Sequence, residues 1–519
     1  VLVDNSDLKQ APVVIETSPT YRNLFGTIDR VVDRYGRVVT NFTRIKSGSL
    51  LQANGGYLVI NLEDALTEPF VWKELKRVLT SGHAEIEVYD PFSMFTIAAL
   101  KPEPVPLDVK VIAVGSPLLY HLLYRYDDDF REIFKVKAEF DTEILRSEAD
   151  PRMFGQLVRK LSDTEGLPAF DAQAVAELVC AASRMAADQR RVTSEFCRIV
   201  DLVREAGYWS RRDGAPLVSA SHVRQALREQ IDRSDLVADK IRELIAEGTL
   251  LISLGEPAVG QANGLTVADL GDYQFGWPVR VTASMGVGTA GLINIEREAR
   301  LSGRTYDKGM LILEGYLRNQ YARDQPLALT ASLAMEQSYG GVDGDSASLV
   351  ETLCLLSAIA GIPLRQDVAL TGSISQHGQV QAIGGANEKI EGFFDVCREH
   401  GLSGRQGVCL PKANVHTLVL RHDVVEAVGA GQFHLWPVEH IDQAIELLTE
   451  RAAGTTAEPE SFHGRVQQAL KAMGQALRAR RGGGGGDHGS TTITTPPAPP
   501  TDPRPPLPGR SEEGDSVCG

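Results

Sequence analysis

The chain has 519 residues, 43% of them hydrophobic, enough for about three packed domains at roughly 100 to 200 residues each. A formal net charge of −15 argues against a protein whose main task is to hold nucleic acid or an anionic membrane surface, since both reward a basic face. The six cysteines (Cys180, Cys197, Cys354, Cys397, Cys409 and Cys518) are scattered without a C-x-x-C pair, which points away from disulfides or a zinc ribbon and toward a reducing cytoplasm.

Along the chain, residues 21 to 140 carry short apolar runs separated by turn residues: "GGYLVINLEDAL", "AEIEVYD", "FTIAAL" and "VKVIAVGSP". "YLVI" and "VKVIAV" have few polar interruptions, as expected of parallel strands covered on both faces. Between them, "PFVWKELKRVLTSG" has helical spacing and stops at Gly82. The first domain, residues 1–149, therefore reads as an α/β module. Residues 150–248 read as nearly all helix, with Asp171 and Ser219 as N-caps. Glycine returns at Gly255, and "VRVTASMGVG", "GLINIERE" and "LALTASLAME" alternate like half-exposed strands of a third domain, residues 249–450. Residues 451–519 read as a helical segment and then a Gly/Pro-rich tail, disordered because it cannot bury enough apolar surface. No apolar run reaches the length of a membrane span. The chain opens on Val1 rather than Met, so an upstream segment is expected.

In "GVDGDSASLVETL", Ser346 stands where turn residues give way to helical spacing (Leu349, Val350, Leu353, Leu356). Unpaired amides and the dipole at a helix N-terminus favour a deprotonated hydroxyl and a nearby oxyanion. The plain alternative is that Ser346, Asp345 or Asp343 caps the helix. A serine nucleophile needs a base. His377, His400, His416, His422, His434 and His440 leave a Ser-His-Asp site open, although the G-x-S-x-G elbow is replaced here by "GDSAS". The other candidate lies in "QVQAIGGANEKIEGFFDVCREHG", where Gly384 and Gly385 turn into a helix carrying Glu388 and Lys389 on a face shared with Ile390, Phe393, Phe394 and Val396. A lysine base must be neutral, which requires burial costing roughly 4 kcal/mol. The plain alternative is a surface lysine on an amphipathic helix.

"DGDSAS" around Ser346 and "GGANEKIEG" around Lys389, together with "VALTGSISQHGQVQAIGG" between them, resemble the Ser-Lys proteolytic domain of Lon-type ATP-dependent proteases. "GQANGLTVADLGDYQFGWPVRVTAS" resembles that domain's opening segment. The resemblance implies Ser346 as nucleophile, Lys389 as general base, Thr371 as the hydroxyl supporting the lysine, and Asp269 as an acid near the pair; Asp343 lies close enough in sequence to influence the site. Residues 21–233 are similar to the ATPase module of bacterial Lon-related, LonB-like proteins. The implied fold is thus a partial α/β AAA+ ATPase core with a helical lid, followed by an α+β Lon proteolytic domain.

In that resemblance "GGYLVINLEDAL" is the Walker B strand and "VKVIAVGSP" the sensor-1 strand, with Arg131 as an arginine finger. ATP and Mg²⁺ are the implied cofactors, with Glu63 and Asp64 the acids nearest the Mg²⁺; no separate metal site is implied. Two departures stand out. No G-x-x-x-x-G-K-[ST] occurs in the chain, and Asn61 holds the place of the magnesium aspartate. The Walker A segment is expected upstream of Val1. The implied protein is a cytoplasmic homohexamer that degrades unfolded or damaged proteins, without a membrane or nucleic acid as main partner. The alternative is an ATP-independent peptidase or chaperone-like ring with a degenerate ATPase module.

Overall fold

The computed structural model describes residues 2–32, 34–35, 38–87, 101–323 and 326–482. These divide into two compact units, residues 1–140 and 141–519. The "FTIAAL" run and the Gly/Pro-rich tail after Gly482 lie outside the described residues. No described helix is long and apolar enough to cross a membrane.

The first unit is built on three parallel strands, β1 (Val13–Glu16), β2 (Tyr57–Asn61) and β3 (Lys110–Val114), with β2 in the centre. Helices α1 (Leu62–Thr67) and α2 (Val71–Ser81) connect β2 toward β3, and α3 (Pro117–Tyr126) and α4 (Asp128–Ile133) follow it. Gly82 ends α2 in a left-handed conformation. The sheet is covered on one face. Val14, Leu58, Ile60, Val111 and Ala113 pack with Val71, Leu75 and Val78 of α2. The alternate residues Val13, Ile15, Ile112 and Val114 are exposed. The low polarity of these strands suggests burial on both faces; side chains alternate across a strand, and among the described residues the core formed with α2 lies on one side of it.

The second unit starts with a helical subdomain. Strand β4 (Glu143–Leu145) is followed by α5 (Asp150–Glu165), α6 (Ala172–Met185), strand β5 (Arg191–Thr193) antiparallel to β4, and then α7 (Phe196–Arg212), α8 (Ala220–Asp232) and α9 (Leu236–Ala246). Asp171 caps α6 by accepting from the Ala174 amide, and Ser219 caps α8 through a capping box with His222. Phe154, Leu178, Ile199, Val203 and Val223 form the subdomain core.

The rest of the second unit is a seven-stranded mixed sheet. In chain order its elements are β6 (Gln261–Asp269), β7 (Gln274–Val287), β8 (Gly291–Asn294), α10 (Arg304–Tyr321), β9 (Leu329–Met335), α11 (Ser348–Ala360), β10 (Val368–Leu370), α12 (Ala386–His400), β11 (Gly407–Pro411), β12 (His434–Val438), α13 (Ile441–Thr449) and α14 (Phe462–Gly482). The spatial order is β8-β9-β7-β6-β10-β11-β12, antiparallel at β6/β7 and β7/β9 and parallel elsewhere. Helix α11 is apolar on nearly every side because it is buried on nearly every side, its Leu349, Leu353 and Leu356 joining α10 and α14 in one core. On another part of the sheet, Ile390, Phe393 and Phe394 of α12 pack with Leu265, Val408 and Phe433. Helix α12 meets β7 backbone to backbone: a Cβ on Gly392 would overlap the Gly276 carbonyl, and one on Gly276 would overlap the Glu388 carbonyl. Only glycine fits at this crossing.

Candidate active site

Ser346 sits in the turn two residues before α11, half-buried. The segment after β10 clasps this turn through its backbone. The Gly372 amide donates to the Ser346 carbonyl at 2.9 Å, the Leu349 amide donates to the Gly372 carbonyl at 3.1 Å, and the Ile374 amide donates to Ser348 Oγ at 3.0 Å. The amides of Ser346 and Ala347 donate to no other described residue, so both are available at the mouth of α11.

Lys389 comes from the first turn of α12. Its approach is set by Gly385, whose left-handed backbone (φ 65°) turns the chain into the helix beside Val267. The Lys389 side chain is 2% exposed. Its Nζ lies 2.9 Å from Ser346 Oγ and 3.4 Å from Thr371 Oγ1, and Thr371 is itself fully buried. Burial pushes the Lys389 amine down to about 8, against the opposing pull of Asp345 and Glu388. A neutral amine within hydrogen-bond distance of a hydroxyl can take its proton.

The acids are distributed differently from the sequence expectation. Asp345, beside the serine, is the aspartate whose charge reaches Lys389, together with Glu388, and it also accepts from Ser373 Oγ at 2.8 Å. Asp343 instead accepts from the amides of Thr305 and Tyr306, at 3.0 and 3.1 Å, and of Gly344, at 2.8 Å, which holds the start of α10 and keeps its carboxyl below the usual range. Asp269 is not joined to Ser346 or Lys389. It ends β6 at an exposed hairpin, where its carboxylate accepts from the Gly271 amide and the Gln274 side chain. Those two hydrogen bonds close the turn and hold its charge there, lowering its pKa.

The histidines are engaged elsewhere. His377 meets Asn319, His400 the Val396 carbonyl, His416 Asp188, His422 Glu177, His434 the Gly404 carbonyl and His440 the His377 carbonyl. Among the described residues none hydrogen-bonds Ser346. Behind the serine, Glu351 of α11 and Glu296 are buried together around the Tyr306 hydroxyl, and desolvation pushes Glu351 up to about 7. This cluster carries no sequence signal, because its members lie on three different elements.

Thr371→Val removes only the hydroxyl facing Lys389. It is expected to lower kcat by about tenfold with little change in KM, the value of one hydrogen bond of about 1.4 kcal/mol. Steady-state cleavage of an unstructured peptide checks this.

In the first unit the residues that the resemblance gives to nucleotide make hydrogen bonds and ion pairs of their own. The Asn61 carboxamide caps α1, accepting from the amides of Glu63 and Asp64 at 2.8 and 3.3 Å. Glu63 and Asp64 are exposed on the first turn of that helix. Arg131 is tied to Asp128 at 3.0 Å and lies over the Tyr124 ring. The 519-residue sequence holds no glycine-rich cradle with a lysine for phosphates.

Three family models match the chain in order: a LonB-like AAA domain over residues 9–141, an archaeal LonB AAA+ ATPase lid domain over residues 169–233, and a Lon protease (S16) C-terminal proteolytic domain over residues 336–451. A Lon protease homologue of Escherichia coli (strain K12) is 31% identical over 448 residues, covering 83% of this chain and 73% of its own length. A homologue from Haemophilus influenzae is 32% identical over 410 residues, covering 78% of this chain and 66% of its own. The archaeal Lon protease of Archaeoglobus fulgidus is 26% identical over 460 residues, covering 87% of this chain and 70% of its own.

Proposed function

We propose that this chain, which belongs to the Lon protease family and is a serine endopeptidase, cleaves unfolded or damaged polypeptides with Ser346 as nucleophile and Lys389 as general base. The observation that carries this reading is the 2.9 Å contact between a half-buried serine hydroxyl and a buried lysine amine whose pKa burial lowers to about 8. The neutral Lys389 amine takes the Ser346 proton as Oγ attacks the scissile carbonyl carbon. The resulting oxyanion is held by the amides of Ser346 and Ala347, which donate to no other described residue. The Lys389 ammonium then returns its proton to the leaving amine as the C–N bond breaks. Water, deprotonated by the same lysine, hydrolyses the acyl-enzyme. Thr371 keeps Nζ aimed at the hydroxyl, and Asp345 and Glu388 steady the ammonium formed in transit.

Family membership supports a homohexameric cytoplasmic ring into which unfolded chains are threaded, and Cys180, Cys197, Cys354, Cys397 and Cys409 carry free thiols. It also supports an ATP-driven motor, with the AAA and lid matches as its parts. A second reading, nucleotide-independent cleavage, is favoured by Asn61, whose carboxamide is spent on a helix cap where a magnesium aspartate would be needed. Cleavage of denatured casein with and without ATP and Mg²⁺ separates the two: stimulation by several-fold supports the motor, and equal rates support the second reading.

A further inference from the structure

Helix α12, which carries Lys389, is gripped from the helical subdomain. Arg184 of α6 forms a two-pronged ion pair with Glu391, Nη1 to Oε1 at 2.6 Å and Nη2 to Oε2 at 2.7 Å, and the same Nη1 donates to the Val419 carbonyl at 2.8 Å. Glu391 is 6% exposed and lies two residues beyond Lys389. It also accepts from the Arg421 amide at 2.8 Å. The segment at Val419 is fastened to α12 a second time, because its amide donates to Asn387 Oδ1 at 2.8 Å, and the Asn387 side chain donates back to the Thr417 carbonyl at 3.1 Å. The subdomain reaches that segment again through Gln189, whose side chain donates to the carbonyls of Val415 and Leu418. Asn387 and Glu391, four residues apart, therefore share one face of α12, with Lys389 between them in sequence on the opposite face, and both are anchored to a layer that the subdomain holds in place.

We propose that Arg184 is a positioning residue for the Lys389 base: by clamping Glu391 and Val419 it seats the start of α12 against the Ser346 turn, so that peptide cleavage depends on the helical subdomain being docked. This rests on the Ser346–Lys389 reading above. A planar guanidinium suits the task because its fork fixes both distance and orientation of the carboxylate, which a lysine cannot do. A displacement of Nζ by about 1 Å is enough to cost a large part of the rate while leaving substrate contacts intact.

The test is steady-state cleavage of a quenched-fluorescent unstructured peptide by the full chain. Arg184→Gln and Glu391→Gln are each expected to lower kcat by about tenfold with KM within about twofold, because the base is misplaced and the substrate site is not. The double variant should lose no more than either single, since the two residues act through one contact. Arg184→Lys should recover part of the rate. Unchanged kcat in Arg184→Gln, a loss confined to KM, or losses that multiply in the double variant would each overturn the proposal. If Arg184→Gln fails to fold, the near-isosteric Glu391→Gln alone decides it, and an unchanged kcat there is equally fatal. Ser346→Ala in the same assay separates the two readings: activity surviving in Ser346→Ala sinks the dyad itself, whereas an inactive Ser346→Ala beside an unaffected Arg184→Gln sinks only the clamp.

Discussion

Ser346→Ala is expected to abolish cleavage of denatured casein, lowering kcat by at least about 10,000-fold while the protein melts within a few degrees of the parent. The large effect follows from chemistry that nothing else in the site can replace. The amides of Ser346 and Ala347 would still offer an oxyanion hole, and substrate would still bind, but no atom would be left to form the acyl-enzyme. The small stability change follows from the position of the side chain, half-buried in a turn that is held by backbone hydrogen bonds to Gly372 rather than by the hydroxyl. Peptide release measured by fluorescence checks the first part and a thermal melt the second. Retained cleavage would remove Ser346 from the mechanism.

Lys389→Met comes next, with a loss of comparable size, and combining it with Ser346→Ala should cost nothing further because the two residues act as one unit. Lys389 is 2% exposed and its burial disfavours the charged amine, so an uncharged methionine there should melt no lower than the parent. The parent enzyme adds a pH signature. The proposed mechanism needs the neutral amine, whose pKa burial has lowered to about 8. Below that value the lysine is protonated and kcat/KM should fall about tenfold per pH unit, and above it the rate should level off. Measuring kcat/KM from about pH 6 to about pH 10 gives the midpoint. An acid limb near the ordinary histidine range instead would mean that another group is the base.

How much of this was legible beforehand depended on how local each feature is. Ser346 and Lys389 announce themselves because each sits at a helix start preceded by glycines, and their helices carry apolar faces that force burial. Thr371 is placed through the resemblance alone, since a threonine in the T-G turn between them carries no local signal of its own. Asp343 and Asp345 could not be told apart by sequence: they are two residues apart, and only the fold sends one carboxylate to the amides of α10 and the other toward Lys389. Asp269 misleads for a related reason, since an acid at a strand end is equally suited to closing a hairpin. The contact between Arg184 and Glu391 joins residues 207 positions apart, and neither carries a local pattern that names the other. The strand order of the sheet is likewise a product of long-range pairing, with β6 lying between β7 and β10 although β8 and β9 intervene in sequence.

The glycine crossing between α12 and β7 has a mechanical meaning. Most helices ride on a sheet through a cushion of side chains, which can change rotamer and absorb a push. At Gly276 and Gly392 there is no cushion, only carbonyl oxygen against α-carbon. The contact behaves as a hard fulcrum. A force applied to α12 at Glu391 cannot be dissipated where the helix touches the strand; it must tilt or slide the whole rod, and Lys389, on the same rod beside the fulcrum, moves with it.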